Sequence, residues 1–287
     1  MRKAAARLES TREFGQSRGD SVGGTTSRRA VKHALAQFAS HRLASGLTIL
    51  TYHRVGGGSP DERDLGVDAF AAQLDVLVGH NVVTLDEGVD RLRVGDKRPT
   101  VALTFDDGFA DVYDNAWPLL RAQRVPFTLY LASAYVGAQM HWEGSTARAD
   151  GPALSWDQIR EMVESGLCTV GNHSHSHVRP EELTAFELDA CSAAAQTHLG
   201  VTPQHFAYPW GIRVPRLEYE LSRRFRTAVT GEVGRNLSGQ NFMRLRRVPV
   251  RNTDPLPYFR AKLTGRLGPE RAYDALVVTA KRAGVRA

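Results

Sequence analysis

The sequence predicts an α/β fold built on a parallel sheet or a barrel, and three features point there. Short apolar runs rich in β-branched residues alternate with stretches of helical spacing along most of the chain. The length of 287 residues suits one large α/β domain. Polar clusters recur where the strand-like runs end, which is where parallel α/β folds assemble their sites.

Each element has its own signal. Residues 15–29, GQSRGDSVGGTTSRR, contain almost no large apolar side chain, a composition that cannot bury enough surface to offset ordering. A disordered basic tail is therefore expected over 1–29, a short amphipathic helix over 30–44, and a single domain over 30–287. The first core strand is LTILTYHRV, 47–55. VDAFAAQLDVLVGH has helical spacing, VVTL reads as a short strand, and DEGVDRLRVG as a short helix with acids in its first turn. TVALTFDDG runs from apolar residues into two acids and a glycine. A helix follows at about 111–124, then the strand FTLYLAS.

The segment 133–155 reads as a long irregular insertion, and long loops in compact domains are commonly functional. Its Trp142 and Glu143 fit the lining of a sugar groove and a packing loop equally well. SWDQIREMVESG carries a Ser N-cap, an apolar face at Ile159, Met162 and Val163, and a Gly stop. The strand LCTVGNH, a long helix over 181–199, the run HFAYPWG, a helix over 215–225, and the strands TAVT and RLRRVPV lead to a helical C-terminal region.

Composition narrows the function. The formal charge is +6, but residues 1–42 alone hold nine Lys/Arg against three Asp/Glu, so the remainder is neutral and no nucleic-acid surface is predicted. Two cysteines, Cys168 and Cys191, do not make a disulfide framework. No run reaches the length of a membrane span, and the basic N-terminus lacks the apolar core of a signal peptide. A cytoplasmic protein without an integral membrane segment is the expectation.

Four strand ends carry the polar clusters: YHR at 52–54, TFDDG at 104–108, GNHSHSH at 171–177 and YPWG at 208–211. Taken singly each has an ordinary explanation, such as a turn for Asp-Asp-Gly or a carbonyl-bound core residue for His53. Their shared position argues for a common site. Adjacent carboxylates at a strand end repel, and a divalent cation relieves that repulsion. One Asp with two His leaves coordination positions open, as in catalytic rather than structural zinc, and leaves the second Asp to act on water. Such a set suits metal-assisted hydrolysis of an acyl group.

TFDDG, then GNHSHSH, then FAYPWG resembles, in order and spacing, the polysaccharide deacetylases of carbohydrate esterase family 4, over about residues 47–250. The resemblance implies a distorted (β/α) barrel in a single domain. It implies Asp106 as catalytic base, Asp107, His173 and His177 as metal ligands, Ser174 as a brace between the histidines, and the Tyr208 N–H as an oxyanion donor. His175 falls on a variable position, as a bystander or a support for the ligands. The region FMRLRRVPVRN lacks the histidine that many members use as general acid. LTYHRV resembles exopolysaccharide-linked members, which implies His53 in that role. The implied cofactor is a divalent metal, with Zn first and Co, Ni or Fe compatible with Asp/His₂ ligation. The implied reaction removes N-acetyl groups from a polymeric amino sugar. The alternatives are an amidase for a small non-sugar substrate and an inert glycan-binding module.

Overall fold

The structure, a computed structural model, describes residues 21–39, 44–142, 150–264 and 267–282. Seven parallel strands close into a barrel: β1 (Leu47–Tyr52), β2 (Thr100–Phe105), β3 (Phe127–Leu131), β4 (Cys168–Asn172), β5 (His205–Ala207), β6 (Thr227–Val233) and β7 (Leu245–Pro249). They run around the barrel in sequence order, and β1 closes on β7 with Leu50 opposite Val248. On its other side β1 pairs β2 from Leu47↔Thr100 to Tyr52↔Phe105. Of the two architectures the sequence allows, the barrel is the one formed.

The helices are α1 (Ser21–Ala36), α2 (Val67–Leu77), α3 (Leu85–Arg93), α4 (Trp117–Ala122), α5 (Trp156–Glu164), α6 (Ala185–Leu199), α7 (Glu218–Arg224), α8 (Leu256–Leu263) and α9 (Gly268–Arg282). Local chemistry sets several boundaries. Ser155 and Gln158 form a reciprocal capping box that starts α5. Thr84 accepts the Glu87 N–H at the start of α3, so most of VVTL is the approach to a helix rather than a strand. Val82 keeps only an isolated bridge to Val101.

Strand alternation divides each barrel strand between two environments. Leu50, Tyr52, Leu103, Phe105 and Leu129 pack outward in the large core shared with the helices. Leu47, Ile49, Ala102, Tyr130, Ala207, Val229 and Leu245 belong to a second cluster, which Leu85, Val89 and Leu92 of α3 complete. Continuing the second face up the strands gives Thr51, Asp106 and Arg247, all of which line a cavity. The period of two thus carries one face from apolar filling into polar side chains at the C-terminal strand ends.

Two expectations need correction. The helix predicted over 30–44 is α1, which begins at Ser21, so residues 21–29 of the anticipated tail are helical. Residues 1–20 lie outside the described residues. Tertiary contact overrides local composition here: Lys32 of α1 is fully buried and meets Asp254 at 2.7 Å beside α8. The insertion at 133–155 is also more regular than expected. It contains a 3₁₀ turn at Ser133–Tyr135 and a small antiparallel pair, Gln139–Met140 with Gly151–Pro152. Glu143 lies outside the described residues. Both cysteines are buried and neither is in a disulfide.

Candidate active site

A cavity of about 300 Å³ opens at the C-terminal strand ends, lined by Asp106, Asp107, His53, His173, His177 and other residues of the barrel rim. Asp106 and Asp107 follow β2 directly. Asp107 has φ 76°, and Ser174, His177 and Trp210 also lie in the left-handed region at 65°, 50° and 62°. Such backbone is unfavourable for residues with a Cβ and gathers at functional sites. At the cavity wall Gly211 and Gly231 meet back to back, and a Cβ on Gly211 would stand 2.8 Å from the Gly231 Cα.

Asp107, His173 and His177 form a compact set whose ligand atoms all lie within 4.8 Å of one another, each residue buried. The Nε2 atoms of His173 and His177 lie 3.4 and 3.6 Å from Asp107 Oδ1. His173 Nδ1 donates to the Ala207 carbonyl at 2.8 Å, which fixes the ring and turns Nε2 towards Asp107. Burial holds the His177 imidazole neutral, with its pKa pushed down to about 3 despite the nearby Asp107. Asp107 is held well below the usual carboxylate range. Burial opposes this, but the His173 hydrogen bond and the neighbouring imidazoles outweigh it. Burial opposes a charge on His173, but Asp107 and Asp106 outweigh it and raise its pKa. Two imidazoles and one carboxylate converging on one point fit a divalent cation, which takes the place of the proton on His173 Nε2.

The loop holding these ligands is braced at each residue. Asn172 donates its side-chain amide to the Leu188 carbonyl and accepts the Ser174 N–H. Ser174 Oγ accepts the His177 N–H at 3.0 Å, which is the brace expected of it. Glu187 accepts both the N–H and the hydroxyl of Ser176. His175 does not line the cavity; its Nδ1 pairs with Ser133 Oγ at 2.8 Å.

Asp106 is 2% exposed, and its Oδ1 accepts a 2.7 Å hydrogen bond from Arg247 of β7. Burial pushes the Asp106 carboxyl up, but Arg247, with His173 and His53, more than offsets this and holds it below its ordinary range. Arg247 is in turn oriented by the Thr230 carbonyl at 3.0 Å. The sequence reading missed this residue. The signal was present in RLRRVPV, where the period of two puts Leu245, Arg247 and Pro249 on one face.

His53 sits between β1 and the short strand Arg54–Val55, in the cavity lining, with a buried Nδ1 that has no hydrogen-bond partner among the described residues. It is not the carbonyl-bound core histidine that the sequence also allowed. Desolvation outweighs the pull of Asp107 and Asp106, and its pKa is lowered.

Tyr208 departs further. Its N–H donates to the Val229 carbonyl at 3.1 Å within the β5–β6 ladder, its side chain is buried, and it does not line the cavity. A donor committed to the barrel ladder is not available to an oxyanion. Trp210, two residues on, does line the cavity. Trp142 both packs and lines. Its ring lies 4.2 Å from that of His177, and it shares an apolar cluster with Phe109 and Met140.

The site is thus a closed parallel barrel with an Asp-Asp pair, two histidines and a buried arginine at its open end. Residues 93–223 match the polysaccharide deacetylase family. The structure of IcaB from Ammonifex degensii is similar over 79% of this chain and 100% of that one, with 32% identity and a TM-score of 0.67. A polysaccharide deacetylase from Bacillus cereus shares the fold at 21% identity and a TM-score of 0.65, over 77% of this chain and 69% of that one. The poly-beta-1,6-N-acetyl-D-glucosamine N-deacetylase of Staphylococcus epidermidis is 26% identical over 57% of this chain and 64% of its own length. Another curated relative, YxkH of Bacillus subtilis, is covered over 46% of its length, so the chain spans about half to two thirds of these two proteins. The chain belongs to the polysaccharide deacetylase family.

Proposed function

We propose that the protein hydrolyses N-acetyl groups of a polymeric amino sugar, a β-1,6-linked N-acetylglucosamine polymer in the first instance, and releases acetate. The observation that carries this reading is the division of labour between two adjacent carboxylates. Asp107 shares a compact ligand set with two histidines, while Asp106 is held apart by Arg247. A cation-binding module without chemistry needs only the first of these.

A divalent cation held by Asp107, His173 and His177 supplies Lewis acidity and lowers the pKa of water towards about 7. Asp106, ionised and fixed through Oδ1 by Arg247, takes the proton of the attacking water through its other oxygen. The carbonyl carbon gains the C–O bond and the C–N bond breaks. Trp210 is the first residue past β5 to line the cavity, and its backbone N–H takes the oxyanion role in place of that of Tyr208. His53 delivers a proton to the departing nitrogen. Because burial lowers its pKa, His53 acts as a relay and passes to the nitrogen the proton that Asp106 takes from water.

The test is acetate release from a panel of N-acetylated polymers and from small N-acetyl amides, with metal content measured in parallel. Release from β-1,6-linked N-acetylglucosamine oligomers is the expected result. Turnover confined to small non-sugar amides would replace the glycan by a small amide substrate, and metal binding without any turnover would leave a binding module.

A further inference from the structure

Arg63 lines the same cavity as the acids and histidines, yet the chemistry above does not use it. Its side chain is 40% exposed, whereas the other arginine of the cavity, Arg247, is 5% exposed and engaged by Asp106. One edge of the Arg63 guanidinium is fixed: Nε and Nη2 donate to the two carboxylate oxygens of Asp61 at 2.9 and 2.8 Å. Asp61 also accepts the Arg63 N–H at 2.8 Å and does not itself line the cavity. The loop beneath is tied to the segment after β7. The Asn252 N–H donates to the Glu62 carbonyl at 2.8 Å, the Asn252 amide donates to the Asp61 carbonyl at 3.1 Å, and the Glu62 carboxylate meets Arg251 at 3.1 Å.

A guanidinium held along one edge keeps its Nη1 edge for whatever enters. It offers donors and no acceptor, so it suits hydroxyl and carbonyl oxygens and opposes an ammonium group. Each deacetylation converts a neutral amide into an amine that is charged at neutral pH. A second attack beside that residue brings the new charge towards a fixed cation in a half-buried cavity, where like charges repel more strongly than in bulk water. Asp61 offsets part of this charge, but from the far edge of the guanidinium and outside the cavity lining, so an incoming ammonium meets the Nη1 edge first. Of the two cavity aspartates, Asp106 is paired with Arg247 and Asp107 belongs to the ligand set.

Resting on the deacetylase reading, we infer that Arg63 is a specificity-determining residue. It favours an N-acetylated residue flanked by acetylated sugars over the same residue flanked by a free amine. Acetyl groups are then removed singly along the polymer rather than in runs.

The experiment compares acetate release from a defined β-1,6-linked N-acetylglucosamine oligomer with release from the same oligomer carrying one free amine beside the target residue. Metal-loaded wild type, R63Q and R63K are assayed at neutral pH, with melting temperature and metal content as controls. The wild type should prefer the fully acetylated oligomer by on the order of three- to tenfold in kcat/KM, mostly through KM. R63Q should lose the preference with metal content unchanged, and R63K, which keeps the charge, should retain most of it. No preference in the wild type, or an undiminished preference in R63Q, would overturn the assignment. Absence of release from every oligomer by the wild type would overturn the deacetylase reading itself, and this assignment with it.

Discussion

At the scale of single residues, the two neighbouring aspartates differ in what each touches. Asp107→Ala or His177→Ala removes one of three converging ligand atoms, so either purified variant should lose most of its metal. Stoichiometric metal in both, measured by elemental analysis, would contradict the ligand assignment. Asp106→Asn should keep the metal and lose turnover by about 10²–10⁴-fold. It should also melt lower, because Arg247 is left as a buried guanidinium without a counter-charge, a loss of about 3–5 kcal/mol when one partner of a buried pair is removed. An Asp106→Asn enzyme with near-normal acetate release would take Asp106 out of the mechanism. His53 has no hydrogen bond through Nδ1 to lose, so His53→Ala should depress turnover while melting temperature and metal content hold. A less stable but active His53→Ala protein would return it to a packing role.

At the scale of elements, the site depends on how tightly strands and loops are seated. Gly171 of β4 faces the ring of Tyr130, and a Cβ there would stand 2.4 Å from a ring carbon. Gly171→Ala should therefore cost about 1–3 kcal/mol and disturb the histidine loop that follows, read as a fall in both urea midpoint and metal affinity. On the flank of the barrel, Asp254 joins Lys32 of α1 to Lys262 of α8 through contacts of 2.7 and 2.6 Å, all three side chains buried. Burial raises the Asp254 carboxyl, but Lys262 and Lys32 outweigh it and hold it below the ordinary range. A carboxyl lowered by folding contributes stability that is present above its unfolded pKa of about 3.9 and lost as pH falls through the folded value. The stability gap between wild type and Asp254→Asn should thus be full near pH 6 and narrow below about pH 4. A gap that stays constant down to pH 3 would show that the carboxylate charge does not hold α1 in place.

At the scale of the whole molecule, the barrel is closed by backbone pairing and filled by apolar side chains independently of the ligand set. Chelation should abolish turnover but leave the protein folded, with a melting temperature lower only by the linkage of metal to the native state. Loss of far-UV dichroism on chelation would show the metal to be structural. Among the described residues no helix is long and apolar enough to cross a membrane. The sequence by itself determined the strand–helix alternation, the positions of the polar strand ends, and the Asp-Asp and His-Ser-x-x-His groupings, because these are local patterns with periods of two and 3.6. Only the tertiary structure decided that the sheet closes, that Arg247 reaches Asp106 from 141 positions away, and that the Tyr208 N–H is taken by Val229. It also decided that Ser21–Ala36 is a docked helix despite its Gly- and Ser-rich start. Each of these rests on a partner distant in the chain or on the cost of burying a charge, and neither is written in the local order of residues.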